Sequence, residues 1–125
     1  MRRQGYLRGD DKPGTQEMKV IDFQSQQRRL FPLLAAAYAI HSGAELLQRL
    51  YSQVQEEMKG ANFENLPDLH ATSSGMKAYS SWAASNGIDE CRQRCGGHGY
   101  SHFSGLPDLF QEITPACTYE GDNIV

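Results

Sequence analysis

A long apolar stripe runs through the first half of the chain at helical spacing. From Asp22 onward, mostly apolar side chains recur at intervals of three, four or seven residues, which is typical of a helix with one covered face. The stripe consists of Leu30, Leu34, Ala37, His41, Ala44, Leu47, Tyr51, Val54 and Met58. It predicts a helix from Phe23 to Met58, about 54 Å long, with Asp22 as its N-cap. Pro32 should kink this helix, because it leaves the Arg28 carbonyl without a donor.

A second helical pattern begins near Pro67, which suits the first turn of a helix, where Asp68 also favours the helix dipole. Its apolar positions are Leu69, Met76, Tyr79, Ala83, Ile88, Cys91 and Cys95. The spacing is imperfect at residues 85–87, so the pattern alone permits a break there. The glycine pair Gly96–Gly97 is expected to end the helix.

Two shorter helices are predicted in the last twenty residues. Leu106 to Ile113 should form one after a turn at residues 105–107, and another should start near Glu120. No stretch alternates as a strand does, so the predicted fold class is all-α, with long antiparallel helices of a partial four-helix bundle. Because two long apolar faces have little in the sequence to cover them, we expect part of each face to need a partner.

Composition and charge fit one ordinary domain of 125 residues, with 22% charged and 39% hydrophobic residues. No uninterrupted apolar run approaches the ~18 residues that cross a membrane. Residues 1–19 contain three glycines and a proline, which predicts a loop, preceded by a last helical turn at residues 1–4. Residues 1–29 are basic and the remainder acidic, a pattern that favours a solvated start or arginines at a cofactor phosphate over nucleic-acid binding.

The three cysteines are odd in number and late in the chain, which argues against a disulfide framework and for a reducing compartment. Cys91, Cys95, His98 and His102 have ligand types that suit zinc, but the first two lie on one predicted helix. Thiols packed as small hydrophobic groups are the favoured interpretation. Cys117 lacks a neighbour that would activate it as a nucleophile, so a packing role is favoured there too.

The stretch from Cys91 to Asn123 holds the most chemistry. Gly96 and Gly97 permit positive φ and a close approach of the backbone to a bulky group. Glu120 follows Ala-Cys-Thr-Tyr, so we expect its carboxylate to sit among apolar and aromatic groups, where a carboxylate becomes a stronger base. The stretch therefore predicts a general base beside a ligand-contacting loop.

Several motifs in this order closely resemble the acyl-CoA oxidases, flavoenzymes related to the acyl-CoA dehydrogenases. They are VIDFQ, LFPLLA, LPDLHA, CGGHGY, SGLP and CTYEGDN, and the resemblance covers about 105 positions from Val20 onward. The resemblance implies an acyl-CoA dehydrogenase C-terminal-domain-like fold, with residues 1–125 as part of the C-terminal α-helical domain (1–19 loop, 20–125 helical). It also implies one continuous second helix and a peroxisomal location. The family's fold also has an N-terminal helical domain, a β-barrel domain that holds the flavin ring, and further C-terminal helices. None of these three parts has a counterpart in these residues.

The family's functional residues can be placed on this sequence by the same motifs. Glu120 corresponds to the catalytic base. Residues near FAD correspond to Arg2, Gln24, Gln93, Gly96 and Gly97. The resemblance implies that the glycine pair approaches the adenosine-diphosphate part of a flavin held by the neighbouring subunit of a homodimer, and that arginine and backbone N–H groups recognise its phosphates.

The implied reaction converts a fatty acyl-CoA to a trans-2-enoyl-CoA, with FAD as electron acceptor and O2 reduced to hydrogen peroxide. A base removes the proton α to the thioester carbonyl while hydride leaves the β carbon. Two alternatives stay open: an acyl-CoA dehydrogenase that passes electrons to an electron-transfer flavoprotein, and a non-catalytic truncated helical module. Neither nucleic acid nor a membrane is expected as a partner.

Overall fold

The computed structural model describes Arg2–Arg3 and residues 18–125. Two long helices dominate it, α1 (Gln24–Lys59) and α2 (Leu66–Arg94), followed by the short helix α3 (Leu106–Ile113). Single 3-10 turns lie at Val20–Asp22, Gly96–Tyr100, His102–Ser104 and Thr114–Cys117. The predicted bounds of α3 are confirmed residue for residue, and the predicted all-α class is confirmed.

A two-residue antiparallel ladder precedes the helices. It joins β1 (Arg2–Arg3) to β2 (Met18–Lys19), with Arg2 opposite Lys19. The helical turn predicted at residues 1–4 is wrong at Arg2 and Arg3, because their backbone pairs as an extended strand. The predicted loop is also wrong at Met18 and Lys19, which form β2, and residues 1 and 4–17 lie outside the described residues.

Helix α1 begins one residue later than expected. Asp22 closes the preceding 3-10 turn, and Phe23 takes the N-cap position, where its carbonyl accepts the backbone N–H groups of Gln26 and Gln27. The prediction of Asp22 as N-cap is therefore wrong. Pro32 lies inside the helix, which continues unbroken to Lys59.

Helices α1 and α2 pack antiparallel, as predicted. At one end the Gln26 side chain donates to the carbonyl of Arg94, over 3.4 Å, and at the other Asn65 Nδ2 donates to Glu57 Oε2 over 2.9 Å. Between them Gly43 leaves room for Met76, whose Cε would stand 3.0 Å from a Cβ at that position. A missing side chain on α1 therefore lets the two backbones approach.

The face of α1 that packs on α2 differs from the predicted stripe. Partly or fully buried positions recur every three or four residues at Leu30, Leu33, Ala36, Ile40, Gly43, Leu47, Leu50 and Val54. Leu30, Leu47 and Val54 were predicted, whereas Leu34, Ala37, His41, Ala44, Tyr51 and Met58 are exposed. The correction has a simple cause: α1 has apolar residues in adjacent rows, so periodicity alone did not identify the row that meets α2.

Helix α2 is continuous through residues 85–87, as the family resemblance implied. It ends at Arg94, with Cys95 as C-cap, and Gly96 follows in the left-handed region at φ 58°. The predicted glycine stop is confirmed for Gly96, while Gly97 does not have positive φ. Tyr79, predicted to lie on the packed face of α2, is exposed.

The last predicted helix is wrong. Residues 118–120 form a turn, and the chain to Val125 is irregular. Glu120 has φ 55° and Gly121 has φ 105°, so neither takes the right-handed conformation that a helix needs.

Little of the described chain is deeply buried. Among residues 19–125, Val54 and Ala116 are the buried apolar side chains. Phe31, Leu34 and Tyr38 form an exposed apolar outer face on the first half of α1, and Leu46, Tyr51 and Met58 are exposed on other sides of the helix. By length and composition, an 18-residue window of α1 is apolar enough to cross a membrane, although the sequence has no uninterrupted apolar run of that length. The core helix of a soluble protein passes the same test. The outer face is typical of a surface that another protein segment covers.

Gly99 marks a tight contact between α2 and the loop after it. This glycine is buried, and a Cβ there would lie 1.7 Å from the backbone carbonyl oxygen of Arg92. Because the obstructing atom belongs to backbone, the loop itself would have to move. A Cβ on Gly97, two residues earlier, would meet nothing within 4 Å.

We therefore expect Gly99→Ala to lower the free energy of unfolding by ~1–3 kcal/mol, the usual cost of overpacking. Gly97→Ala is the matched control and should change it by less than ~0.5 kcal/mol. Urea titration of both variants, followed by circular dichroism, measures the difference. Equal stability of the two variants would contradict the close contact.

The outer face of α1 should make the 125-residue chain self-associate and bind a dye for exposed apolar surface. Replacing both Leu34 and Tyr38 by serine should reduce dye fluorescence and shift the sedimentation profile towards monomer. Replacing the exposed Arg49 and Lys59 by serine is the control and should change neither reading. A monomer without dye binding in the unaltered chain would contradict this expectation.

Candidate active site

Glu120 stands at the tip of a closed loop that follows α3. The loop closes where the backbone N–H of Asn123 donates to the Cys117 carbonyl, over 3.1 Å. Inside it, Glu120 is a non-glycine residue in the left-handed region, a conformation that needs support from its surroundings. The loop therefore has a defined shape that presents the Glu120 carboxylate at its tip, while the second carboxylate of the loop, Asp122, accepts the backbone N–H of Ile124.

Side chains of α2 hold this loop. Lys77 Nζ donates to the carbonyl of Gly121 and, over 2.9 Å, to Asn123 Oδ1. Asn123 Nδ2 donates to Ser81 Oγ over 2.8 Å and to the Ala78 carbonyl over 3.3 Å. Sequence reasoning gave Lys77 and Ser81 no role, because no local pattern links them to residues more than forty positions later.

A wide groove of about 1150 Å³ runs beside the loop, and Glu120 contributes to its lining. Its apolar walls come from both long helices and α3, including Leu33, Ile40, Ala84, Ile88 and Ile113. Lys77 and Cys91 also line it. The groove thus offers a long apolar surface with a carboxylate at its margin.

The surroundings of Glu120 differ from the expectation. Its side chain is exposed, and the preceding Tyr119 is 52% exposed, so the apolar and aromatic enclosure predicted from the sequence is not formed by the described residues. Glu120 thus lines the groove and is at the same time exposed to solvent.

The second part of the site is the loop that follows α2 at Gly96–Tyr100, called the glycine loop below. Arg92 holds it: the guanidinium lies 5.0 Å from the ring centre of Tyr100 and 4.8 Å from that of Phe110, and donates to Asp89 over 2.6 Å. Hydrogen bonds from Arg92, and then from Gln93, keep the pKa of Asp89 below its usual value. The loop and α3 are thereby fixed to one charged side chain.

The residues predicted near a cofactor gather at this end of the helix pair. Gln93 is exposed, and its Nε2 donates to Asp89 Oδ2 over 2.8 Å. Gly96 and Gly97 are exposed with open space above each, and Gln24 is the exposed first residue of α1 at the same end. Arg2 lies in β1, and its side chain is outside the described part of the chain.

The structure does not bring this group of residues together with Glu120. The Glu120 loop is attached at Ser81 and the glycine loop follows Arg94, so about 20 Å of helix α2 separates the two attachments at ~1.5 Å per residue. The predicted base and the predicted cofactor contacts therefore occupy separate parts of the surface.

The cysteines are half-buried and unpaired in the described chain. Burial raises the pKa of the Cys91 thiol, with smaller contributions from nearby Cys95 and Glu90. A raised pKa disfavours the thiolate that metal binding and nucleophilic attack need. No group of three or more His, Cys, Asp or Glu residues within residues 18–125 is placed to hold a metal ion.

Comparisons with known proteins place this geometry in a family. The family model described as "Acyl-CoA oxidase, C-alpha1 domain" matches residues 1–125. Human peroxisomal acyl-coenzyme A oxidase 1 is 48% identical over 114 residues, which cover 91% of this chain and 17% of that protein. The relative of the same name in Arabidopsis thaliana is 52% identical over 109 residues, covering 87% and 16%. The chain therefore spans about 17% of the length of such relatives.

Solved structures agree. Acyl-CoA oxidase-1 of Caenorhabditis elegans, complexed with FAD and ATP, superposes with a TM-score of 0.91 at 40% identity, over 99% of this chain and 18% of that one. Acyl-CoA oxidase 1 of Arabidopsis thaliana gives 0.86 at 48% identity, over 98% and 18%. The expected peroxisomal location agrees with the names of the curated relatives. Since the family model covers the whole sequence and these folds coincide, the chain belongs to the acyl-CoA oxidase family.

Proposed function

We propose that this chain supplies the catalytic base and part of a flavin-contacting surface to a peroxisomal acyl-CoA oxidase, which converts a fatty acyl-CoA to a trans-2-enoyl-CoA. The observation that carries the proposal is the position of Glu120, a carboxylate on a shaped loop at the margin of a long apolar groove. Fatty acyl-CoA joins an apolar tail to a thioester, so its reactive carbons need a base beside an apolar surface.

Glu120 takes the proton from the carbon next to the thioester carbonyl. The proton is weakly acidic, so its removal needs a positioned base and little competing water. The apolar walls of the groove hold the acyl chain and exclude water from one side of the carboxylate. FAD, when bound, would accept the hydride from the β carbon and pass the electrons to O2, giving hydrogen peroxide.

The glycine loop fits a close approach by FAD. A Cβ on Gly96 or Gly97 would meet no atom of the described chain, so the open space above both residues is available to another group. Gln93 and Gln24 lie at the same end and present polar side chains there. Arg2 belongs to the proposed set because its place in the sequence matches that of the family's arginine at the flavin pyrophosphate.

The homodimer is proposed from the family resemblance, in which the glycine loop approaches the flavin of the neighbouring subunit. About 20 Å of α2 lies between the attachments of the Glu120 loop and the glycine loop, so the two loops would contact different parts of a flavin or different flavins. O2 is the proposed acceptor, rather than an electron-transfer flavoprotein, because the matched family and the similar structures are oxidases.

Replacement of Glu120 by glutamine tests the base. In a full-length oxidase containing this segment, Glu120→Gln should slow flavin reduction by at least ~100-fold, because the amide keeps the size of the side chain but is not a base. Anaerobic stopped-flow bleaching of the oxidised flavin band measures the rate. Flavin content and acyl-CoA affinity should change far less.

The exposed Glu112 on α3 provides the matched control, since it does not line the groove. Glu112→Gln should reduce the flavin at the unaltered rate. A Glu120→Gln enzyme within a few-fold of that rate would remove Glu120 from the reaction.

Replacement of Gly97 tests the cofactor surface. In the full-length oxidase, Gly97→Val should lower the amount of FAD retained through gel filtration, because its side chain fills the open space where the flavin is proposed to approach. Gly75→Ala, in the exposed middle of α2, is the control for loss of a glycine. Equal flavin content in the two variants would mean that the glycine loop only ends a helix.

A further inference from the structure

We propose that Lys77 is a positioning residue for Glu120, acting with Asn123 and Ser81 as a clasp between α2 and the loop. The clasp is defined by these three side chains. It rests on the proposed function, because it matters for the reaction only if Glu120 is the base. Its role is to keep the carboxylate aimed at the groove.

The clasp holds both sides of the loop's second half. Lys77 Nζ binds the carbonyl of Gly121, the residue directly after Glu120, and also Asn123 Oδ1 at 2.9 Å. The same Asn123 donates its backbone N–H to Cys117. A single ammonium group thus fixes the carbonyl of the residue that follows the base and the side chain of the residue that closes the loop.

Hydrogen bonds fix the orientation of the side-chain amide of Asn123. Its oxygen accepts from Lys77, while its nitrogen donates to Ser81 Oγ at 2.8 Å and to the Ala78 carbonyl at 3.3 Å. Ser81 is itself 8% exposed and donates to the Lys77 carbonyl over 2.8 Å. Every polar atom of the amide therefore has a partner on α2, which a chance surface contact rarely achieves.

The conformation that the clasp supports is unfavourable on its own. A non-glycine residue with positive φ is disfavoured relative to the right-handed region, and Glu120 is a good helix former. The sequence accordingly predicts a helix that starts here. Hydrogen bonds from an ammonium group to the neighbouring carbonyl oppose that conversion, because a charge-assisted bond is stronger than a neutral one.

Loss of the clasp should misdirect the carboxylate without removing it. If the Gly121 peptide is released, the backbone at Glu120 can turn towards the right-handed region and swing the side chain away from the groove. A displacement of about 1 Å in a reacting group can cost about 100-fold in rate. Lys77 would therefore affect the rate without touching the reacting carbons.

The test uses Lys77→Met in a full-length oxidase containing this segment. Lys77→Met keeps the length of the side chain and removes its donors, so flavin reduction should slow by ~10-fold to ~100-fold while flavin content stays unchanged. Lys77→Arg keeps charge and donors and should recover most of the rate. Lys59→Met is the matched control: the exposed Lys59 pairs with Glu56 near the end of α1, and its replacement should have no effect.

A double variant separates positioning from general stability. In a Glu120→Gln background, Lys77→Met should slow flavin reduction by less than ~3-fold, because a residue that acts through Glu120 has little left to position. If Lys77→Met slowed flavin reduction by the same factor in that background as in the unaltered enzyme, the proposal would be overturned. A single Lys77→Met enzyme at the unaltered rate would overturn it as well.

Hydrogen exchange gives a second reading, independent of flavin and of turnover. In the 125-residue chain, Lys77→Met and Asn123→Asp should each speed amide exchange in the peptide covering residues 118–124, while exchange within α2 stays as it was. Unaltered amide exchange at residues 118–124 in both variants would refute the clasp. This result would stand even if one of the variant full-length enzymes were too unstable for the flavin-reduction measurement. A full rate in Glu120→Gln would instead refute the proposed base and leave the structural part of the clasp standing.

Discussion

The antiparallel seam between α1 and α2 is the contact on which the other described elements depend. It forms because Gly43 admits Met76 and because Leu33 lies beside Gly87, so the two backbones come close along their length. With α1 packed on one side, α2 supports the loops and the short helix that follow it. The glycine loop is attached near its C-terminal end through Arg92, and the Glu120 loop is attached nearer its middle through Lys77. The helix thus fixes the spacing between the proposed base and the proposed cofactor surface.

Local sequence patterns predicted the bounds of the helices better than they predicted which helix face is packed. The bounds of α3 and the end of α2 just before Gly96 follow from glycine and proline chemistry within a few residues. The packed row of α1 does not, because Leu33 and Leu34 are equally apolar and only the shape of α2 selects between them. The conformation of Glu120 was also out of reach of local patterns, since the loop that contains it is bound by Lys77, more than forty positions earlier. Non-local contacts override local propensity in the loop that carries the proposed base.

The open surroundings of Glu120 have a consequence for the reaction. In the described chain the carboxylate is exposed, although the proposed chemistry needs a site with little water. The chain covers about 17% of its human relative, so we expect other parts of a full-length oxidase to lie over the groove and the outer face of α1. On this account, the exposed apolar side chains and the incomplete enclosure of Glu120 have the same origin.

The central claim is that the loop aims Glu120 at the carbon next to the thioester. A crystal structure of a full-length oxidase containing this segment, bound to a non-reactive acyl-CoA analogue, tests it most directly. The account predicts a Glu120 carboxylate oxygen within ~3.5 Å of that carbon, the range of a near-attack geometry, with Glu120 still at positive φ. A carboxylate directed away from the substrate, with a different basic side chain within the same distance, would contradict it.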